Sequence, residues 1–101
     1  MKVFISQPMK DKSKEEILAE RERAVCCIKE KYPNEDIEIL DSYFTDEPPK
    51  DNNRGLYLLG KSFELLACAD VAYFVQGWNC YRGCKMEHMA ALNYGIDVLE
   101  E

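Results

Sequence analysis

The amino-acid sequence predicts an α/β fold of three layers, with helices over both faces of a small, doubly wound parallel sheet and elements in the order βαβαβαβ. Three observations predict it. Short apolar runs alternate along the chain with longer amphipathic stretches. One run, Val71-Ala72-Tyr73-Phe74-Val75, is apolar throughout, as expected of a parallel strand covered on both faces. The 101 residues, 47% of them hydrophobic, suffice for one core and therefore one domain, residues 1–101.

The elements follow in order. Val3-Phe4-Ile5 is the first strand, broken by Gln7-Pro8-Met9. Ser13, with Glu16 three residues later, has the spacing of a capping box. Behind it Ile17, Leu18, Arg21, Ala24, Val25 and Ile28 recur at helical spacing, with Glu20, Arg23 and Glu30 on the other side. Tyr32-Pro33-Asn34 ends that helix, because proline cannot continue it. Ile37, Ile39 and Leu40 form the second strand. Residues 41–54 (DSYFTDEPPKDNNR) are polar, hold two prolines and show no period. A loop so long in so small a domain suits a lid or a binding loop. Helical spacing resumes at Leu56, Leu59, Phe63, Leu66 and Ala67, and the third strand and a turn-rich loop from Gln76 to Gly83 come next. Met86, Met89, Ala90 and Asn93 mark one face of the last helix, which Gly95 closes. Ile96-Asp97-Val98-Leu99 is the final strand.

Crossovers of this kind are right-handed, which makes the architecture flavodoxin- or Rossmann-like. Ligands in such sheets bind beyond the carboxyl ends of the strands, where strand order reverses. With the first strand central, the loops that meet there are Ser6–Met9 and Gln76–Gly83.

Composition narrows the function. A formal charge of −6 speaks against a nucleic acid polymer held on a basic surface, and against anionic membranes. No run approaches the ~18 apolar residues that span a bilayer. The opening Met1-Lys2-Val3-Phe4-Ile5-Ser6 has the character of a strand, not of a signal peptide, and a cytoplasmic protein is expected. Five cysteines, an odd number without framework spacing, fit free and mostly buried thiols in a reducing compartment. Neither G-x-G-x-x-G nor G-x-x-x-x-G-K-[ST] occurs, which argues against a dinucleotide dehydrogenase or a P-loop NTPase.

The chemistry concentrates in Gly77 to His88. Gly83 and its neighbours open the last helix, where free backbone N–H groups receive an anion or a sugar hydroxyl. Arg82 adds a charged fork suited to a phosphate. Glu87 lies one turn further in, where a carboxylate can attack an electrophilic sugar carbon or act as a base; the plainer alternative is an acid that complements the helix dipole. Trp78 and Tyr81 offer rings for stacking on a base, although a Trp beside a glycine serves as readily as a loop anchor. Tyr43-Phe44 poses the same choice, and a polar loop gives it no core role. Cys80, Cys84 and His88 stand four residues apart and supply three metal ligands, without the paired spacing or the fourth ligand of a structural zinc site. A packed histidine and two buried thiols are the alternative, and nothing orients His88 to activate a cysteine. Lys10, Lys12 and Lys14 suit a solvated helix entrance; Asp46-Glu47 and Glu100-Glu101 suit surface charge.

Taken in order, Phe4-Ile5-Ser6-Gln7-Pro8-Met9, Glu20-Arg21-Glu22-Arg23, Ala69-Asp70-Val71, Gly77-Trp78, Arg82-Gly83 and Glu87-His88 resemble the nucleoside 2-deoxyribosyltransferase superfamily, nearest its small bacterial and phage branch. The likeness spans nearly the whole chain, and the ordered set is more specific than any single motif. It implies cleavage or transfer of an N-glycosidic bond in a nucleoside or nucleoside 5′-monophosphate. Glu87, four residues after Gly83, takes the place of the nucleophile at C1′, and the resulting ester passes to another base or to water. Ser6, Gln7, Pro8 and Met9 would wall the sugar, Trp78 would support the base, and Tyr81, Arg82 and Gly83 would hold the 5′ end. No cofactor is implied, since the nucleophile belongs to the protein. Relatives with a phosphate-binding turn hydrolyse the monophosphates, whereas pure transferases prefer free nucleosides. A homodimer is also implied, with Leu58, Leu59 and Leu65 as the contact face. One position departs: where relatives carry an aspartate that orients or protonates the base, this chain has Ser62, with Asp41 as a substitute elsewhere. A serine hydrogen-bonds a base but supplies no proton at neutral pH. The second reading is therefore a nucleotide-binding protein without turnover.

Overall fold

The computed structural model describes residues 1–45 and 47–101, so Asp46, expected as surface charge, lies outside the described residues. The chain runs β1 (Lys2–Ser6), α1 (Lys14–Lys31), β2 (Glu38–Ile39), α2 (Arg54–Leu66), β3 (Val71–Phe74), a 3₁₀ turn (Trp78–Cys80), α3 (Arg82–Asn93) and β4 (Asp97–Glu100). The four strands form one sheet in the order β2-β1-β3-β4, and every pair is parallel. Val3 stands opposite Val71 and Ser6 opposite Phe74. This is the small α/β doubly wound fold that the pattern predicts.

The strands bury both faces because their side chains alternate. Val3, Ile5, Val71 and Tyr73 point to one side and meet Ala24 and Ile28 of α1. Phe4, Ala72 and Phe74 point to the other and meet Leu66 of α2 and Ala91 of α3. One helix thus covers one face and two cover the other. The capping box at the start of α1 is present: Ser13 Oγ accepts from the Glu16 N–H at 3.1 Å, and Glu16 Oε1 accepts from the Ser13 N–H at 3.4 Å. Such a cap is worth about 1 kcal/mol.

Four expectations need correction. β2 shrinks from residues 37–40 to Glu38–Ile39, because Arg21 draws the Leu40 carbonyl out of the ladder at 2.7 Å. α3 rests on Cys84, Glu87 and Ala91, leaving Met86 and Met89 exposed; a fully buried Ala91 brings the helix close to the sheet, where a long side chain has no room. Glu100 and Glu101 are engaged rather than loose surface charge. Glu101 accepts from the Tyr73 hydroxyl at 2.8 Å and the Gln76 N–H at 3.3 Å, and pairs with Arg23. Glu100 Oε1 lies 2.6 Å from His88 Nε2. The cysteines are free, but Cys26, Cys27, Cys68 and Cys80 are exposed and only Cys84 is buried. Among the described residues no helix is long and apolar enough to cross a membrane.

Candidate functional site

From β1 the chain leaves through α1 toward β2, and from the adjacent β3 it leaves through α3 toward β4, in the opposite direction. The carboxyl ends of these two strands therefore form the switch point of the sheet. A cleft of about 1020 Å³ opens there. Ser6, Gln7, Pro8 and Met9 form one wall, α2 contributes Leu58, Leu59 and Ser62, and α3 contributes Arg82, Gly83, Cys84 and Glu87. Tyr81 lines the cleft from the turn before α3, and Tyr43 and Phe44 line it from the long segment after β2. Gly77, at φ +95°, makes the turn after β3, and a side chain there would be strained whatever the space.

Glu87 is 7% exposed. It lies beyond the first turn of α3, which contains no acid, so complementing the helix dipole does not account for it. Ser6, at the end of β1, donates its hydroxyl to Glu87 Oε1 at 2.7 Å. Burial pushes the Glu87 carboxyl above its ordinary range; the Ser6 hydroxyl, and more weakly that of Ser62, pull it back toward the ionised form. Two hydroxyls from two other elements thus meet the buried carboxyl where β1, α2 and α3 converge.

The mouth of the cleft has a different character. Tyr81 gives the start of α3 no side-chain cap among the described residues. Gly83, in the first turn where backbone N–H groups lack helical partners, lines the cleft. Arg82 crosses the start of α2 so closely that a Cβ on Gly55 would lie 3.3 Å from its Nη2. Arg54, the first residue of α2, also lines the cleft and pairs with the exposed Glu47 at 2.8 Å. Lys10 and Asp11 line it as well.

A second network fixes the wall after β2. Arg21 donates to Ser42 Oγ at 2.9 Å, and Ser42 Oγ donates to the Ile5 carbonyl at 2.8 Å. The chain leading into Tyr43 and Phe44 is thereby tied to β1 and α1.

Several sequence expectations fall away here. Trp78 is outside the cleft: its ring stacks on His88 at 4.0 Å and 15°, and it packs beside Phe74. It is a loop anchor and not a base platform. His88 meets Trp78, Phe74 and Glu100, whereas Cys84 faces the cleft beside Ser6 and Glu87. Among the described residues no group of three His, Cys, Asp or Glu side chains is placed to hold a metal. Burial pushes the Cys84 thiol up to about 11, so it is a neutral neighbour of Glu87. Asp41 is exposed and accepts from the Tyr43 N–H at 3.2 Å, outside the cleft. Lys12 is half-buried against Glu20 at 2.8 Å rather than solvated. Leu58 and Leu59 line the cleft and Leu65 packs on the core, so they are no free contact face.

Arg54, Lys10, Asp11, Ser42 and Cys84 line the cleft without having been expected in the site. For Arg54 the signal was available: Asn53 is an N-cap residue, which places Arg54 at the first position of α2. The chain matches no family model, no curated protein and no solved structure.

Proposed function

We propose that the protein cleaves or transfers the N-glycosidic bond of a nucleoside or nucleoside 5′-monophosphate, with Glu87 as nucleophile. The observation that carries this reading is the buried Glu87 carboxylate, held by the Ser6 hydroxyl at 2.7 Å within a cleft at the switch point. Burial disfavours the charge of a carboxylate, and groups perturbed in this way cluster at functional sites. In the proposed step a Glu87 oxygen bonds to C1′ as the C1′–N bond breaks, and the bonding pair leaves with the base, which takes its proton from water. Water, or a second base, then attacks C1′ and frees the carboxylate. Arg82, Gly83 and Tyr81 receive the 5′ end, and Ser6 to Met9 wall the sugar.

The test is a panel of nucleosides and monophosphates analysed by chromatography for free base. Release that disappears in Glu87→Ala supports the reading; release unaffected by that change overturns it. Ser6→Ala is expected to slow release roughly tenfold or more. Because the lost donor favours the ionised carboxylate, the acid limb of its pH–rate profile should move to higher pH.

A non-catalytic nucleotide-binding protein is the second reading. What favours it is Ser62, a residue that donates no proton at neutral pH, in the wall facing Glu87. Saturable nucleotide binding without release, retained in Glu87→Ala, would establish that reading instead.

We also propose a homodimer, through apolar side chains other than those the sequence suggested. Leu56, Met86, Met89 and Leu92 are all more than half exposed on α2 and α3, and Leu56 and Met86 share a groove with Gly55 and Arg82 at the edge of the cleft. Sedimentation should show a dimer, and Met89→Glu should shift it toward monomer.

A further inference from the structure

Gln7 follows Ser6 in the wall of the cleft and is 5% exposed. Its Nε2 donates to the Ile17 carbonyl of α1 at 2.9 Å. A carbonyl accepts only from the nitrogen end of an amide, so this bond fixes which way the Gln7 amide is turned. The other end, Oε1, is buried and has no hydrogen-bond partner among the described residues. A buried amide oxygen without a donor is a standing cost that an apolar side chain of the same size would avoid.

The position of Gln7 suggests what answers it. Glu87 reaches the cleft from α3, which covers the sheet face built on Phe4 and Phe74. Gln7 is anchored to α1, which covers the opposite face. In a displacement at C1′ the nucleophile and the leaving group lie on opposite sides of the carbon. A sugar attacked from the α3 side therefore sends its base toward α1 and Gln7. We infer that Gln7 Oε1 accepts a hydrogen bond from an N–H of the departing base, so that the site selects bases carrying an amino or lactam N–H on the edge turned toward α1. The inference rests on the glycosyl-transfer reading of Glu87 and adds the substrate class.

The experiment compares ligands that differ by that one donor: adenosine or inosine against purine riboside, and cytidine against pyrimidin-2-one riboside. In the wild-type protein at least one donor-bearing ligand should be favoured about tenfold or more in kcat/KM for base release, because an unmatched polar group in a closed site is strongly disfavoured. In Gln7→Met the ratio should fall to within about twofold. Gln7→Leu serves the same purpose if the Met variant loses its cooperative melting transition. A ratio that survives the substitution overturns the inference, as does a wild-type protein indifferent to every pair. So does a preference that follows the 2′- or 3′-hydroxyl instead of the base. Glu87-dependent release with no role for Gln7 removes this inference alone. No binding and no release with any ligand removes the reading of Glu87, and this inference with it.

Discussion

Replacing Glu87 by Gln is expected to abolish base release and, in the same molecule, to make the fold more stable. The amide keeps an oxygen for the Ser6 hydroxyl, so the 2.7 Å contact has a successor and the change in shape is small. What disappears is the nucleophile, and the loss should reach at least about 10³-fold, as for other residues that form the covalent bond. The stability gain follows from the protonation equilibrium. Burial raises the Glu87 carboxyl above its unfolded value, so the folded chain binds that proton more tightly than the unfolded chain does. This contribution is fully present below the ordinary value near ~4.3. It is lost as pH rises through the folded value, above which only the cost of the buried charge remains. The Gln variant has no such loss. Its advantage should therefore be absent in acid, grow with rising pH and level off, at a size on the order of 1 kcal/mol for relief of a functional site. Denaturant melts of both proteins over a pH series measure it. A variant less stable than wild type at neutral pH would show that the carboxylate serves the fold rather than the chemistry.

That opposition explains why the sequence revealed architecture more readily than chemistry. Apolar spacing marked every strand, since burial on both faces writes Val3-Phe4-Ile5 and Val71 to Val75 as continuous runs. Strand ends and helix faces were less legible. The Arg21 bond to the Leu40 carbonyl, which cuts β2 short, joins residues nineteen apart, and no local pattern announces it. The outward turn of Met86 and Met89 depends on how close Ala91 brings α3 to the sheet, which is tertiary information. Glu87 stood out through the ordered set of motifs that it closes, since an acid near the start of a helix also serves the helix dipole. Its partner Ser6 is 81 residues away, so only the predicted switch point suggested that they meet. Trp78 misled because an indole in a loop has the same one-letter signature whether it holds a ligand or, as here, a histidine.

Phe74→Ala is expected to bring the fold close to unfolding, and the site should fail with it. Phe74 is fully buried between β1 and β4 on the face covered by α2 and α3. Truncating such a side chain typically costs about 3–5 kcal/mol, from lost transfer energy and the cavity left behind. A domain of this size has roughly 5–15 kcal/mol in total, so the loss consumes a large share of it. The local consequence is specific. The Phe74 ring packs 5.6 Å from Trp78 and edge-on to His88 at 4.9 Å, and these two stack on each other. The stack joins the 3₁₀ turn to the helix that carries Glu87, so removing its base should loosen the start of α3 as well as the core. Phe74→Leu fills most of the cavity but offers no ring, and it separates the two effects. It should recover most of the lost melting temperature, while amide exchange across residues 78–88 stays faster than in wild type. If Leu restores protection there in full, the aromatic cluster is ordinary packing and the start of α3 is held by the rest of the core.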